Sequence, residues 1–307
     1  MGNQNQKTYG VFVLLLVLIV FSCSKSKVER DNSSSFDNAE LTWRAERDQK
    51  MKSPTSWLTI AGLFWLEDGE KTFGTDTRNN IVLPEGSAPP FAGRFMLQNG
   101  EVRVVSSGSV LKHEGTIIEE MVMKSDVDGD PDIIELNDLQ MWVIERGDRV
   151  AIRLRDINAS RYRRYRGLRF YRSKKYYKLK AEFVPFSEPK IVKVPTVVGM
   201  EAEMISLGYV KFKLLGKDLR LDAFKAEPES KKLFIIFRDR TSGDETYGGG
   251  RFLVAQIMDD GSVDLNFNRA YNPPCAYTPY ATCPLPSPQN ELPVKIEAGE
   301  KKYGEEH

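Results

Sequence analysis

Two cysteines, Cys275 and Cys283, stand in a proline-rich run that also carries Tyr271, Tyr277 and Tyr280. A thiol there has three available roles. The pair can close a disulfide, which for a loop of about nine residues adds roughly 2.5 kcal/mol on the chain-entropy model. The thiols can stay reduced and packed. Cys275 can act as a nucleophile if Arg269, close by in sequence, lowers its pKa. Zinc is not expected, because two cysteines without a neighbouring histidine fall short of four ligands. A second cluster precedes the loop: Arg238, Asp239, Thr241 and Tyr247 lead through three consecutive glycines to Arg251. Arginines beside tyrosines suit carboxylates or phosphates, through bidentate forks and ring contact. Asn268 and Asn272 add amides to the same set. The chain has only His113 and His307 as histidines, so triad, Cys–His and multi-histidine metal chemistry would all rest on His113. No metal and no cofactor is expected.

Two further stretches carry chemical types. Asp126–Asp132 alternates acids like the start of a calcium loop. Pro131 then stands where glycine is needed and Asn137 where a bidentate glutamate is needed, so a polar turn is the reading. Arg161–Lys180 holds ten Lys/Arg in twenty residues, interleaved with tyrosines. Such a stretch can bind nucleic acid, but the export signal described below and a formal charge of +1 argue against it. Lipid head groups, anionic glycans or a solvated strand face with snorkelling stems remain.

The elements that must position these groups are mostly strands. Glu40–Lys52 reads as a helix that Pro54 ends. Trp57–Leu66 is too aromatic for a surface and reads as a buried strand or core-lining segment. Short apolar runs punctuated by Gly, Asn, Asp and Pro then follow as far as Leu154, with Asn99-Gly100 as a hairpin signal. Lys178–Phe183, Lys190–Val198, Met204–Leu214, Leu219–Lys225, Lys231–Arg238, Gly250–Gln256 and Ser262–Asn266 continue in the same style, and Leu292–Glu297 is a candidate last strand. The expectation is a mainly β protein, sandwich- or barrel-like, with a short N-terminal helix.

At the N-terminus, Val11–Phe21 is an apolar run of signal-peptide length, too short to span a bilayer. Ser22-Cys23 follows it. A small residue and then cysteine resembles a bacterial lipobox and implies lipidation of Cys23 after cleavage. Ser24 then favours the outer membrane. The expected organisation is a lipoprotein signal peptide over 1–22, a flexible Ser/Asn-rich tether over 23–40, a sandwich-like β region over 41–156, a C-terminal β region with the Asn-Pro-Pro-Cys loop over 157–300, and a charged tail over 301–307.

Gly69–Pro84 with Gly93-Arg94-Phe95 and Asn99–Val102 is similar in rhythm to forkhead-associated domains, which are β-sandwiches. Thr75 stands where that family places its phosphothreonine-reading arginine, so phosphopeptide binding is not implied. A wider resemblance rests on Trp57-Leu58, Gly62-Leu63, Trp65-Leu66, Gly69, Gly74, Arg153–Asp156, Arg238-Asp239, Thr241, Gly243, Tyr247, Gly250–Phe252, Asp264 and Phe267–Tyr277. It continues in Ala281–Pro286, Asn290, Leu292-Pro293 and Ala298–Glu300. On these residues the chain is identified as a member of the DUF1684 family, over about 41–300. The resemblance implies no activity.

Three functions are compatible with these residues. One is an envelope lipoprotein that binds a small anionic or carbohydrate-like ligand at Arg238, Arg251, Arg269, Tyr247, Tyr271 and Tyr277. Another is a histidine-independent hydrolase-like enzyme, with Asp239 or Asp264 as acid/base and Cys275 or Thr241 as nucleophile. The third is an envelope interaction module whose Tyr/Pro loop is the contact surface. The membrane is an expected partner through the lipid anchor, nucleic acid is not, and the third reading adds another envelope protein.

Overall fold

The computed structural model describes residues 20–108, 110–226 and 231–304, with side chains from residue 35 onward. Most of the signal peptide expected over 1–22 lies outside the described residues, as does the side chain of Cys23. The chain divides into two units, Met1–Ala45 and Glu46–His307. Helix α1 runs Val20–Met51 and is far longer than the Glu40–Lys52 reading. The segment 23–40, expected as a flexible tether, is therefore helical. No proline or glycine interrupts residues 20–51, and serine and asparagine lower helix propensity by only tenths of a kcal/mol each. Nothing local stops the helix once it has started. No helix among the described residues is long and apolar enough to cross a membrane.

The first half of the larger unit is a β-sandwich. One sheet has the order β1 (Ile60–Trp65), β11 (Arg149–Asp156), β10 (Leu139–Arg146), β9 (Ile134–Leu136), β6 (Leu111–His113), β7 (Thr116–Ile118). The other has the order β3 (Ile81–Val82), β2 (Gly69–Gly74), β4 (Gly93–Gln98), β5 (Glu101–Ser106), β8 (Glu120–Met123). Their facing residues form one core, in which Phe73, Phe95, Val104 and Met123 meet Ile134, Leu136, Met141 and Leu154. Alternation at period two puts these side chains inward. Asn99-Gly100 makes the expected hairpin between β4 and β5. Both residues have positive φ, 52° and 82°, as the tight turn requires.

The second half is a closed six-stranded barrel of β12 (Lys178–Pro195), β13 (Glu201–Leu214), β14 (Lys217–Lys225), β15 (Lys232–Phe237), β16 (Arg251–Ile257) and β17 (Ser262–Asn266). The two strands expected at 178–183 and 190–198 are one long strand, irregular in register between Pro185 and Lys190. Closure joins β17 to β12, with Lys178 opposite Asn266. This leaves no free edge.

Leu292–Glu297 is not a strand. Leu292, Val294, Ile296 and Ala298 nevertheless alternate into the barrel's core cluster. The strand pattern in the sequence is real, but the ladder is missing, so the backbone polar groups of this segment must find other partners. Those partners include Arg251 and Asp239, singled out above, together with the Arg238 and Arg240 backbone and the Tyr177 hydroxyl.

Candidate functional site

The Arg238–Arg251 cluster faces inward. Arg251 is 1% exposed. Its Nη2 donates to Asp239 Oδ2 at 2.8 Å and to the Ile296 carbonyl at 3.0 Å, and its Nη1 donates to the Ala298 carbonyl. Asp239 Oδ2 also accepts from Ile296 N at 3.1 Å, and Oδ1 accepts from Thr241 N and Oγ1 at 2.8 and 2.5 Å. Burial pulls the Arg251 pKa down, while Asp239 holds its charge in place. The guanidinium and carboxylate thus replace the strand partners that the C-terminal segment lacks. Arg238 lies outside this cluster and pairs with Glu291 at 3.4 Å, on a pocket of about 320 Å³ shared with Arg240, Ser242 and Pro293.

A second buried cluster fixes the Asn-Pro-Pro loop. Glu300 is fully buried. It accepts from Arg47 Nε at 2.8 Å, Asn272 N at 2.8 Å and Tyr277 Oη at 2.8 Å. Arg47 also covers the Tyr271 ring at 4.9 Å. Burial and then Glu300 push the Tyr277 hydroxyl well above its ordinary pKa. Asn272 Nδ2 donates to the Lys301 carbonyl, and Tyr271 bridges Phe252 through both backbone bonds. Asn268 is fully buried and binds both Lys174 backbone groups. Arg269 is half-buried at the end of a 3-10 turn over Phe267–Arg269. Asp239, Arg251, Asn268 and Cys275 do not converge on any of the described pockets. Arg47 carried no sequence signal beyond its place four residues before the buried Met51.

The third group is the thiol corner. The disulfide considered from the sequence is not formed in this structure, where Cys275 and Cys283 are free thiols. Cys283 Sγ accepts from Cys275 N at 3.1 Å. The Gly248–Gly250 turn serves Tyr247. A Cβ on Gly249 would fall 2.5 Å from the Tyr247 ring, and one on Gly250 would fall 2.6 Å from the Phe237 carbonyl. The Tyr247 hydroxyl bonds Cys275, and burial followed by that bond raises the tyrosine's pKa. Cys283 and Tyr247 hold the Cys275 thiol below its ordinary value against the cost of burial. Cys283 moves up, because of its bond to Cys275 and then burial. Arg153, on β11, acts electrostatically on Cys283. It is 4% exposed and lies over the Trp57 ring at 5.3 Å, its Nε and Nη2 have no hydrogen-bond partner, and burial followed by Arg146 pushes its pKa down to about 10. Arg146 binds Thr282 at 3.2 Å and pairs with Asp126 at 2.8 Å. Asp126 and Asp132 are thus engaged, the latter by Lys124 N. No group of three or more metal-ligating residues occurs among the described residues.

A larger cationic feature than the Arg238 pocket lies elsewhere. A pocket of about 640 Å³ is lined by Arg161, Arg164, Arg166, Arg169, Lys301 and Lys302, with Tyr303 at its wall. Neutral oxygens orient the guanidiniums. Arg161 donates to the Ile60 carbonyl, Arg164 to the Ser160 carbonyl and Oγ, Arg166 to the Arg163 and Tyr165 carbonyls, and Arg169 to the Lys302 carbonyl. Among the described residues, Arg161, Arg164, Arg166 and Arg169 form no ion pair. Composition had marked Arg161–Lys180 as basic. It could not show that the terminal Lys301-Lys302 folds back to complete the same wall.

Fold and clusters define a mainly β protein in which a sandwich precedes a six-stranded barrel, the barrel being locked by its own C-terminal segment. Residues 163–301 match the family described as "Protein of unknown function (DUF1684)". The match covers the barrel and its loops rather than the whole of 41–300. A solution structure of an uncharacterised protein from gene locus rrnAC0354 of Haloarcula marismortui is 32% identical. It covers 45% of this chain and 77% of its own, with a TM-score of 0.37. The FhaA FHA domain, crystallised with the intracellular domain of Rv3910, is 14% identical over 30% of this chain and 97% of its own, with a TM-score of 0.22. No curated protein matches.

Proposed function

We propose that the chain is a lipid-anchored envelope protein that binds a small anion, carboxylate- or phosphate-bearing, in the Arg161–Lys302 pocket. The observation that carries this reading is that four arginines share one concavity and are oriented by neutral oxygens, with no carboxylate among the described residues in an ion pair with them. Arranging like charges together costs free energy, and an anion bound across the fork-shaped groups offsets it. The Arg251 site first expected to bind the ligand has its hydrogen-bonding capacity taken up internally, so the binding role moves to this pocket. The Ser22-Cys23 pair supports the anchor.

Thermal-shift measurements on the full chain test the pocket, with inorganic phosphate, citrate and glucose as probes. Phosphate or citrate should raise the midpoint through linkage, glucose should leave it unchanged, and Arg164→Gln/Arg166→Gln should remove the rise. No anion effect, or an equal effect in the double variant, would overturn the reading. The anchor is tested by labelled palmitate, which should be incorporated by the wild type and not by Cys23→Ser.

A further inference from the structure

We propose that Cys275 and Cys283 form a peroxide-reactive dithiol, in which Cys275 is the attacked thiol and Cys283 resolves it. This site is separate from the anion pocket and does not depend on it. The geometry assigns the roles. Cys275 is half-buried, whereas Cys283 is 5% exposed, with the Cys275 amide donating to its sulfur at 3.1 Å. Cys275 also receives the Tyr247 hydroxyl. That ring is clamped over Gly249, so the donor is fixed in place. The two residues are therefore neighbours, and Cys275 is the less buried of the pair. The lowered pKa of Cys275 favours the thiolate, which is the reactive form.

The oxidant is a hydroperoxide. The Cys275 thiolate attacks its terminal oxygen. An S–O bond forms, the O–O bond breaks, and the leaving alkoxide takes a proton to become an alcohol. Cys275 is now a sulfenic acid. The Cys283 sulfur then attacks the Cys275 sulfur. An S–S bond forms, the S–O bond breaks, and hydroxide leaves as water with the proton from Cys283. The two thiols have lost two electrons and the hydroperoxide has gained them. Arg153 supports the second step. Its guanidinium is buried with two nitrogens that lack a hydrogen-bond partner, and its positive charge opposes the rise that Cys275 and burial impose on the Cys283 thiol. A residual thiolate needs such a counter-charge, because burial by itself disfavours ionisation.

The test exposes the reduced full chain to equimolar hydrogen peroxide, quenches it by alkylation and maps the peptides by mass spectrometry, so that Cys23 is scored separately. The wild type should lose both Cys275 and Cys283 thiols together and give one disulfide-linked product. Cys283→Ala should instead accumulate a dimedone-trappable sulfenic acid on Cys275. Cys275→Ser should protect Cys283 from oxidation. Tyr247→Phe, which keeps the ring and removes one hydrogen bond, should slow thiol loss roughly fivefold. Three results would each overturn the proposal: a wild type whose thiols outlast free cysteine, equal loss of Cys283 in the presence and absence of Cys275, and no trappable adduct in Cys283→Ala.

Discussion

Two kinds of arginine stand in and beside this barrel. Arg251 is enclosed, with Asp239 and two carbonyls as partners, and it holds the C-terminal segment against the core. Arg161, Arg164, Arg166 and Arg169 line an open pocket, held by neutral oxygens and matched by no carboxylate among the described residues. The residue type is the same and the free-energy logic is opposite. A buried charge must be paired where it stands, and its partners consume its capacity to bind anything else. A charge at the rim of a cavity keeps that capacity. An arginine beside an aspartate in sequence is therefore as good a sign of an internal clasp as of a ligand site.

The contrast gives predictions of decreasing size. Arg251→Met leaves Asp239 buried and unpaired, and it should lower unfolding free energy by about 3–5 kcal/mol in urea titrations. A loss below about 1 kcal/mol would mean that the clasp does not hold the C-terminal segment. Arg47→Met removes one partner of buried Glu300 but spares the bonds from Tyr277 and Asn272. It should cost about 2 kcal/mol, read in the same way. Arg164→Gln/Arg166→Gln should behave in reverse. Stability should change by no more than about 0.5 kcal/mol, while affinity for citrate falls about tenfold by calorimetry and becomes less sensitive to salt. A destabilised double variant would collapse the distinction between the two kinds of arginine.

The smallest effect concerns pH. Burial pushes the Asp48 pKa up, but Lys52, Tyr165 at 2.5 Å and the Leu168 amide outweigh it, so the folded value lies below the ordinary one. A depressed carboxylate adds stability above its unfolded pKa of about 4, and that stability is lost as pH falls through the folded value. Asp48→Asn should flatten this acid limb of the stability curve. An unchanged limb would show that Asp48 is not what ties the base of the basic pocket down.

Much of the fold was legible in the sequence. Asn99-Gly100 specified its hairpin, the Leu-Phe-Ile-Ile-Phe run gave buried strand β15, and period-two alternation gave most of the remaining strands. Leu292–Glu297 shows where this reading stops. The alternation predicted correctly which side chains are buried, but not that their backbone would pair with Arg251 and Asp239 in place of a strand. Helix α1 shows the same limit, since composition marks the polarity of 23–40 and not the conformation its neighbours propagate into it.

The sequence by itself determined the β architecture and the cysteine pair with its restricted loop. It also determined the scarcity of histidine and the residues that carry the family resemblance. These depend on local propensity, periodicity and residue type, which act over a few positions. Only the tertiary structure decided which arginines are spent inside the protein and which face a cavity. It alone brought the Cys275 amide onto the Cys283 sulfur, and it alone brought Lys301-Lys302 back to Arg161–Arg169. Those outcomes depend on burial and on contacts between residues far apart in the chain, so the charge of a side chain is known from the sequence and its partner is not.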